Sequence, residues 1–120
     1  MANVLLVEDE ADLLQALNAV LVLDGHTVQT AQNGADALHG VSLNVPDIVV
    51  SDIVVLVMDG IRLVRAVRAA PLLADIPVIL TSAVNVPRNL PVDAFLRKPF
   101  CATELVDLIN RLLRYRMVRP

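Results

Sequence analysis

Short apolar runs alternate along this chain with stretches in which leucines and valines recur at helical intervals. Asn3-Val-Leu-Leu-Val7 is a five-residue run suited to a strand covered on both faces. Leu13, Leu14, Leu17, Val20 and Leu21 then fall on one face of a helix, and Asp24-Gly25 supplies its stop signal. Thr27-Val-Gln-Thr-Ala31 alternates and predicts an edge strand, and Gly34 to Val41 predicts a short helix. Pro46 opens the run Ile48-Val49-Val50, which ends at Ser51-Asp52. Gly60 to Ala70 has helical spacing with Pro71 as its terminator. Pro77 to Thr81 and Asp93 to Arg97 predict a fourth and a fifth strand. Thr103 to Tyr115 predicts a closing helix, with Leu105, Leu108, Ile109, Leu112 and Leu113 on one stripe. Between the fourth and fifth strands the pattern breaks, because Pro87 and Pro91 would each disrupt a helix interior.

Strands alternating with helical segments imply an α/β fold with a parallel sheet, right-handed crossovers and helices on both faces. Met1 to Pro120 is expected to form one domain, since no repeat or linker-like tract interrupts it. Ligands of such sheets sit outside the carboxyl ends of the strands. The polar residues released there are Glu8 and Asp9 after strand one, Asp52 after strand three, Thr81-Ser82 after strand four and Lys98-Pro99 after strand five.

If strands one and three are neighbours, Glu8, Asp9 and Asp52 converge. Two like charges ~4 Å apart repel by roughly 4 kcal/mol at an effective dielectric of 20. Such a cluster needs raised pKa values or a cation, and oxygen ligands suit a hard divalent ion, Mg²⁺ above all. Asp9 has an alternative role as the N-cap of the first helix, and Thr81 as a cap or turn hydroxyl. Asp52 has no routine structural job at the end of a buried strand. Lys98 is the only lysine beside nine arginines, a compact point charge suited to a phosphate or a carboxylate. Metal ligands, a nucleophile, a hydroxyl donor and a counter-cation together make a phosphoryl-transfer set.

With these residues in place, nearly the whole chain resembles a response-regulator receiver domain of two-component signalling. The resemblance rests on Val7-Glu-Asp-Glu10, Pro46-Asp47 through Ser51-Asp52, Met58-Asp59-Gly60, Pro77 through Thr81-Ser82-Ala83, and Lys98-Pro99-Phe100. It implies a flavodoxin-like, doubly wound five-stranded sheet in the order 2-1-3-4-5. It also implies that Asp52 accepts a phosphoryl group from a histidine of a partner kinase or phosphotransfer protein. Glu8, Asp9, Asp52 and the backbone carbonyl of Val54 would hold Mg²⁺, Thr81 and Lys98 would meet phosphoryl oxygens, and Phe95 would be the switch aromatic. The Lys98-Pro99 bond is usually cis in the family. The domain would catalyse its own phosphorylation and dephosphorylation and turn over no external substrate.

Three departures from the family pattern stand out. Val54, Val55, Leu56 and Val57 make the loop after Asp52 unusually apolar, a device either for packing inward or for contacting a partner. The spacing from Thr81 to Lys98 is short, so the helix between strands four and five is expected to be lost or reduced to a turn. Val54 and Ala83 offer no polar side chain to position an attacking water, which predicts slow self-dephosphorylation. These departures keep a second function in view, a receiver-like interaction module that binds whatever its phosphorylation state. A flavin-binding domain is disfavoured because Glu8-Asp9-Glu10 would repel a phosphate. A haloacid-dehalogenase-like phosphatase is disfavoured because Val54 stands where it needs a second acid.

Composition narrows the setting. Hydrophobic residues are 56% and charged residues 19% of 120, which excludes an intrinsically disordered chain. A net charge of −3 disfavours direct nucleic-acid binding. The apolar run Ile53 to Met58 is far short of the ~18 residues a spanning helix needs, and the start of the chain lacks a signal-peptide pattern. A cytoplasmic domain without membrane association is expected, with a homodimer possible and an output domain or protein possible after Pro120. Arg62, Arg65 and Arg68 predict a solvated helix face. Arg111, Arg114, Arg116 and Arg119 suit a helix carboxyl end or the start of a linker. Cys101 is expected as a small apolar filler, and His26 and His39 as surface residues.

Overall fold

In the computed structural model, which describes residues 2–53, 60–83, 85 and 89–118, the alternation of apolar runs becomes nine elements. They are β1 (Asn3–Val7), α1 (Ala11–Leu23), β2 (Thr27–Ala31), α2 (Gly34–Leu43), β3 (Ile48–Asp52), α3 (Gly60–Ala69), β4 (Val78–Ser82), β5 (Ala94–Arg97) and α4 (Ala102–Val118). All strand pairings are parallel, and the order β2-β1-β3-β4-β5 is that of a flavodoxin-like sheet. Hairpins cannot join parallel neighbours, so each connection must cross over a sheet face; α1, α2 and α3 do so between β1 and β2, β2 and β3, and β3 and β4.

Strand periodicity divides the core in two. Val4, Leu6, Ile48, Val50 and Ile79 point to one face, where Leu14, Leu17 and Leu21 of α1 and Leu105 and Ile109 of α4 cover them. Leu5, Val7, Val49, Val78 and Leu80 point to the other, under Ala37 and Val41 of α2 and Leu63, Val64 and Val67 of α3. Residues of β3 and β4 are buried throughout, whereas β2 and β5 are half-open edges. Alternation in Thr27–Ala31 reflects that edge position. No described helix is long and apolar enough to cross a membrane.

Among the described residues no helix joins β4 to β5, as the prolines predict. Leu90 and Val92 instead pack against the α2–α3 core, and Arg68 pins the segment. Its Nε donates to Pro91 O at 2.9 Å, Nη1 donates to Ala74 O at 2.9 Å and Ile76 O at 2.6 Å, and Nη2 pairs with Asp93 Oδ2 at 2.9 Å. Arg68 is thus not part of a solvated face. Its planar fork meets carbonyls of the segments before β4 and before β5 at once.

Other expectations are corrected by packing. His26 is buried, with its side chain 4% exposed. Gly25, at φ +94°, turns the chain sharply after α1 and carries the ring inward against Asn110 of α4. Its neighbour across the turn, Asp24, lies 3.2 Å from Nε2. His39 is exposed as expected. Cys101 is exposed rather than a filler, because it precedes α4 at the sheet edge. Arg116 donates to Asp47 O at 2.9 Å and so ties the last turn of α4 to the start of β3. Val54 to Val57, Met58, Asp59, Pro87 and Arg119 lie outside the described residues.

Candidate functional site

Strand register alone brings most of the predicted residues together. Asp52 and Thr81 are direct partners in the β3–β4 ladder, and Ile53 N donates to Thr81 O at 2.9 Å. Ser82 is paired with Arg97, so Lys98 emerges one residue beyond, where its N–H donates to Ser82 O at 2.8 Å. Glu8 leaves β1 with its N–H donating to Ala31 O at 3.0 Å. The Lys98-Pro99 peptide is cis.

Lys98 Nζ donates to Glu8 Oε1 at 2.8 Å and to Asp52 Oδ2 at 2.6 Å, bridging β5, β1 and β3. Glu8, Asp52 and Thr81 are buried, and Asp9 is more open to solvent. Asp9 is not the N-cap of α1. Glu10 holds that position and makes no side-chain cap bond, which leaves the Asp9 carboxylate with the cluster. Glu10 N donates to Glu8 Oε2 at 3.2 Å.

Burial pushes the Glu8 carboxyl above its ordinary value, helped by the nearby Asp52 charge, against the opposing hydrogen bonds from Lys98 and Glu10. Burial by itself would lower Lys98. The hydrogen bonds and charges of Asp52 and Glu8 outweigh it and hold the ammonium above its ordinary value. One cation therefore holds two buried carboxylates in a geometry that neither would tolerate unpaired.

One carboxylate oxygen each of Glu8, Asp9 and Asp52 lies within 4.8 Å of the other two. An octahedral ion with bonds of ~2.1 Å spaces its ligands roughly 3 to 4 Å apart, so a small closing of these side chains suits Mg²⁺. All three donors are hard oxygens. The predicted fourth ligand, the carbonyl of Val54, lies outside the described residues.

Phe95 stands beside Leu80 on the α2–α3 side of the sheet and is 40% exposed. Among the described residues no helix covers that face beyond β4, where the α2–α3 core ends. Ser82, named with Thr81 at the end of strand four but given no role by the sequence, is buried beside Thr81 as the last residue of a buried strand.

Residues 4–110 match the response regulator receiver domain family. The transcriptional regulatory protein PrrA of Mycobacterium tuberculosis is 40% identical over 120 residues, a match covering 95% of this chain and 51% of that protein. Response regulator MprA of Mycobacterium sp. strain KMS is 32% identical over 118 residues, covering 93% of this chain and 50% of that protein. The chain therefore spans about half the length of the curated relatives it matches. Among solved structures, the receiver domain of a histidine kinase from Syntrophus aciditrophicus superposes with a TM-score of 0.91 at 31% identity, covering 100% of this chain and 95% of that one. The chemotaxis response regulator CheY4 of Vibrio cholerae gives 0.87 at 28%, covering 93% and 98%.

Proposed function

The chain belongs to the response-regulator receiver family of two-component signalling, and on that premise we propose that Asp52 is its phospho-acceptor. The donor is the phospho-histidine of a partner kinase or phosphotransfer protein. An Asp52 carboxylate oxygen attacks phosphorus in line, the P–N bond breaks, and the imidazole leaves with its electron pair. The observation that carries this reading is the Lys98 ammonium set between the Asp52 and Glu8 carboxylates at the carboxyl edge of the sheet.

Each residue has a physical task. Asp52 is fixed by its own strand, so the nucleophile needs no reorganisation. Lys98 is already within reach of Asp52, and a phosphoryl oxygen on that carboxylate would take over one of its donors. Thr81, the register partner of Asp52, would donate its hydroxyl to a second phosphoryl oxygen. Glu8, Asp9 and Asp52 would hold Mg²⁺, which when bound neutralises the crowded oxygens of acceptor and phosphoryl group. Movement of Thr81 toward the phosphoryl group would open space for Phe95, whose exposed ring leaves it free to turn inward. The domain catalyses only its own modification. As PrrA is named a transcriptional regulatory protein, an output acting on transcription suits this receiver.

The test is incubation with acetyl phosphate and Mg²⁺, with intact mass read beside an Asp52→Ala control. A Mg²⁺-dependent phosphoryl adduct on the wild type alone is expected. If neither acetyl phosphate nor a histidine kinase forms one, the domain acts as a phosphorylation-independent interaction module. The lack of a helix between β4 and β5 among the described residues and the exposed Phe95 favour that second reading, because both alter the face on which a switch would be read.

A further inference from the structure

Helices α2 and α3 lie side by side on one face of the sheet. Each returns the chain from one parallel strand to the next, so the two run parallel to each other and antiparallel to the strands. Between their carboxyl halves lies a groove of about 350 Å³. Leu38, Val41 and Val45 line it on the α2 side, and Ala66, Ala70 and Leu72 on the α3 side. Around this groove Leu43, Val45 and Leu72 are 76%, 46% and 84% exposed. Single exposed aliphatic side chains are ordinary, but a group of them around an apolar groove marks a contact surface.

Charge on the two helices is sorted by sign. Helix α2 carries Asp36 and no lysine or arginine, whereas α3 carries Arg62, Arg65 and Arg68 and no acid. Arg68 is engaged within the fold, and Arg62 and Arg65 are exposed. Arg65 makes no hydrogen bond or ion pair among the described residues, and the Asp36 side chain accepts only from Asn33. The exposed faces also share one spacing. Asp36, His39 and Leu43 on α2 recur at the intervals of Arg62, Arg65 and Ala69 on α3, and each set starts at the third residue of its helix.

Such a surface complements itself. A two-fold axis along the groove lays α2 of one copy on α3 of the other, with matching levels of the helices in contact. Asp36 of each copy then faces Arg62 and Arg65 of the other, and Leu43 and Val45 face the other's Leu72. Ala66, Ala69 and Ala70 let the helices approach closely. An unrelated partner would need an acidic face for α3 and a basic one for α2 in the same order, and a second copy supplies both.

We propose that the α2–α3 groove is the interface of an isologous homodimer of this chain. Leu72 is the apolar anchor, and the Asp36 contacts with Arg62 and Arg65 fix the register. None of these residues belongs to the carboxylate cluster, so association requires no phosphoryl group on Asp52.

The experiment is sedimentation equilibrium of the unphosphorylated protein from roughly 10 µM to 1 mM, a range suited to a modest interface. A monomer–dimer equilibrium without larger species is expected, because an isologous contact closes on itself. Leu72→Glu, at an exposed position that the fold does not need, should weaken association about tenfold. Asp36→Arg and Arg65→Asp should each weaken it about fivefold by opposing like charges. An equimolar mixture of those two variants should associate more tightly than either alone, since the mixed pair restores opposite charges at both symmetric contacts. A monomer throughout the range, growth beyond the dimer, indifference to Leu72→Glu, or a mixture no tighter than its components would each overturn the interface.

Discussion

Replacing Arg68 with alanine tests how much one guanidinium contributes by tying the segment before β4 to the segment before β5. Three of its bonds run to backbone carbonyls in two different loops, and the fourth reaches Asp93 Oδ2, which also accepts from Val78 N at 2.8 Å. A hydrogen bond to a charged group contributes about 1.5–3 kcal/mol when shielded. Here the arginine side chain is 22% exposed and Asp93 38%, so the ion pair itself counts for less than about 1 kcal/mol. The better shielded bonds to Ala74 O and Ile76 O carry most of the effect. A loss of about 3 kcal/mol follows for Arg68→Ala, with about half of that for Arg68→Lys, whose single ammonium cannot span the same carbonyls. For a domain of this size each kcal/mol moves Tm by about 4 °C, which puts the alanine variant roughly 12 °C below wild type. Urea unfolding followed by circular dichroism gives the free energy, and hydrogen exchange should show residues 90–93 opening first. A loss under about 1 kcal/mol in the alanine variant, or full rescue by lysine, would refute the reasoning.

Further predictions concern the carboxyl edge. The folded Glu8 carboxyl titrates above its ordinary 4.5, so the folded state binds its proton more tightly and this group favours folding only at acid pH. Glu8→Gln should be more stable than wild type at pH 7, with the difference vanishing as pH falls toward 4.5, as read from urea midpoints across that window. Lys98 is raised above 10.5, so its contribution is complete below that value and disappears as pH rises through the folded one. Alkaline melts of wild type against Lys98→Met should show that loss in the wild type only. At neutral pH Lys98→Met strands two buried carboxylates and should cost about 3 kcal/mol, in part restored by Mg²⁺; a midpoint unmoved by the substitution contradicts this. The phosphorylated form should decay over minutes or longer, since exposed Ala83 cannot orient water; a lifetime of seconds by intact mass refutes it.

Much of the site was legible before any coordinates because it sits at strand ends. A parallel sheet collects the residues following each strand at one edge, so Glu8, Asp9, Asp52, Thr81 and Lys98 could be named from the order of apolar runs. Pro87 and Pro91 likewise announced that no helix joins β4 to β5 among the described residues, since the proline ring acts on the local backbone whatever the tertiary context. The helix and strand boundaries were read to within a few residues for the same local reason, although α4 runs three residues beyond Tyr115.

His26 and Arg68 were misread because their surroundings come from distant parts of the chain. A histidine after a turn looks exposed until Asn110, 84 residues later, closes over it. The third arginine of an evenly spaced set looks like its neighbours until Pro91 and Asp93 arrive beneath it. The linear pattern by itself determined which segments form strands and helices and which polar groups crowd the carboxyl edge. Those depend on backbone preference, side-chain period and the direction of parallel strands. Only the tertiary structure decided which cation neutralises which carboxylate, how the gap between β4 and β5 is covered, and where an apolar groove opens. Those outcomes depend on contacts between residues far apart in sequence, and no local preference encodes them.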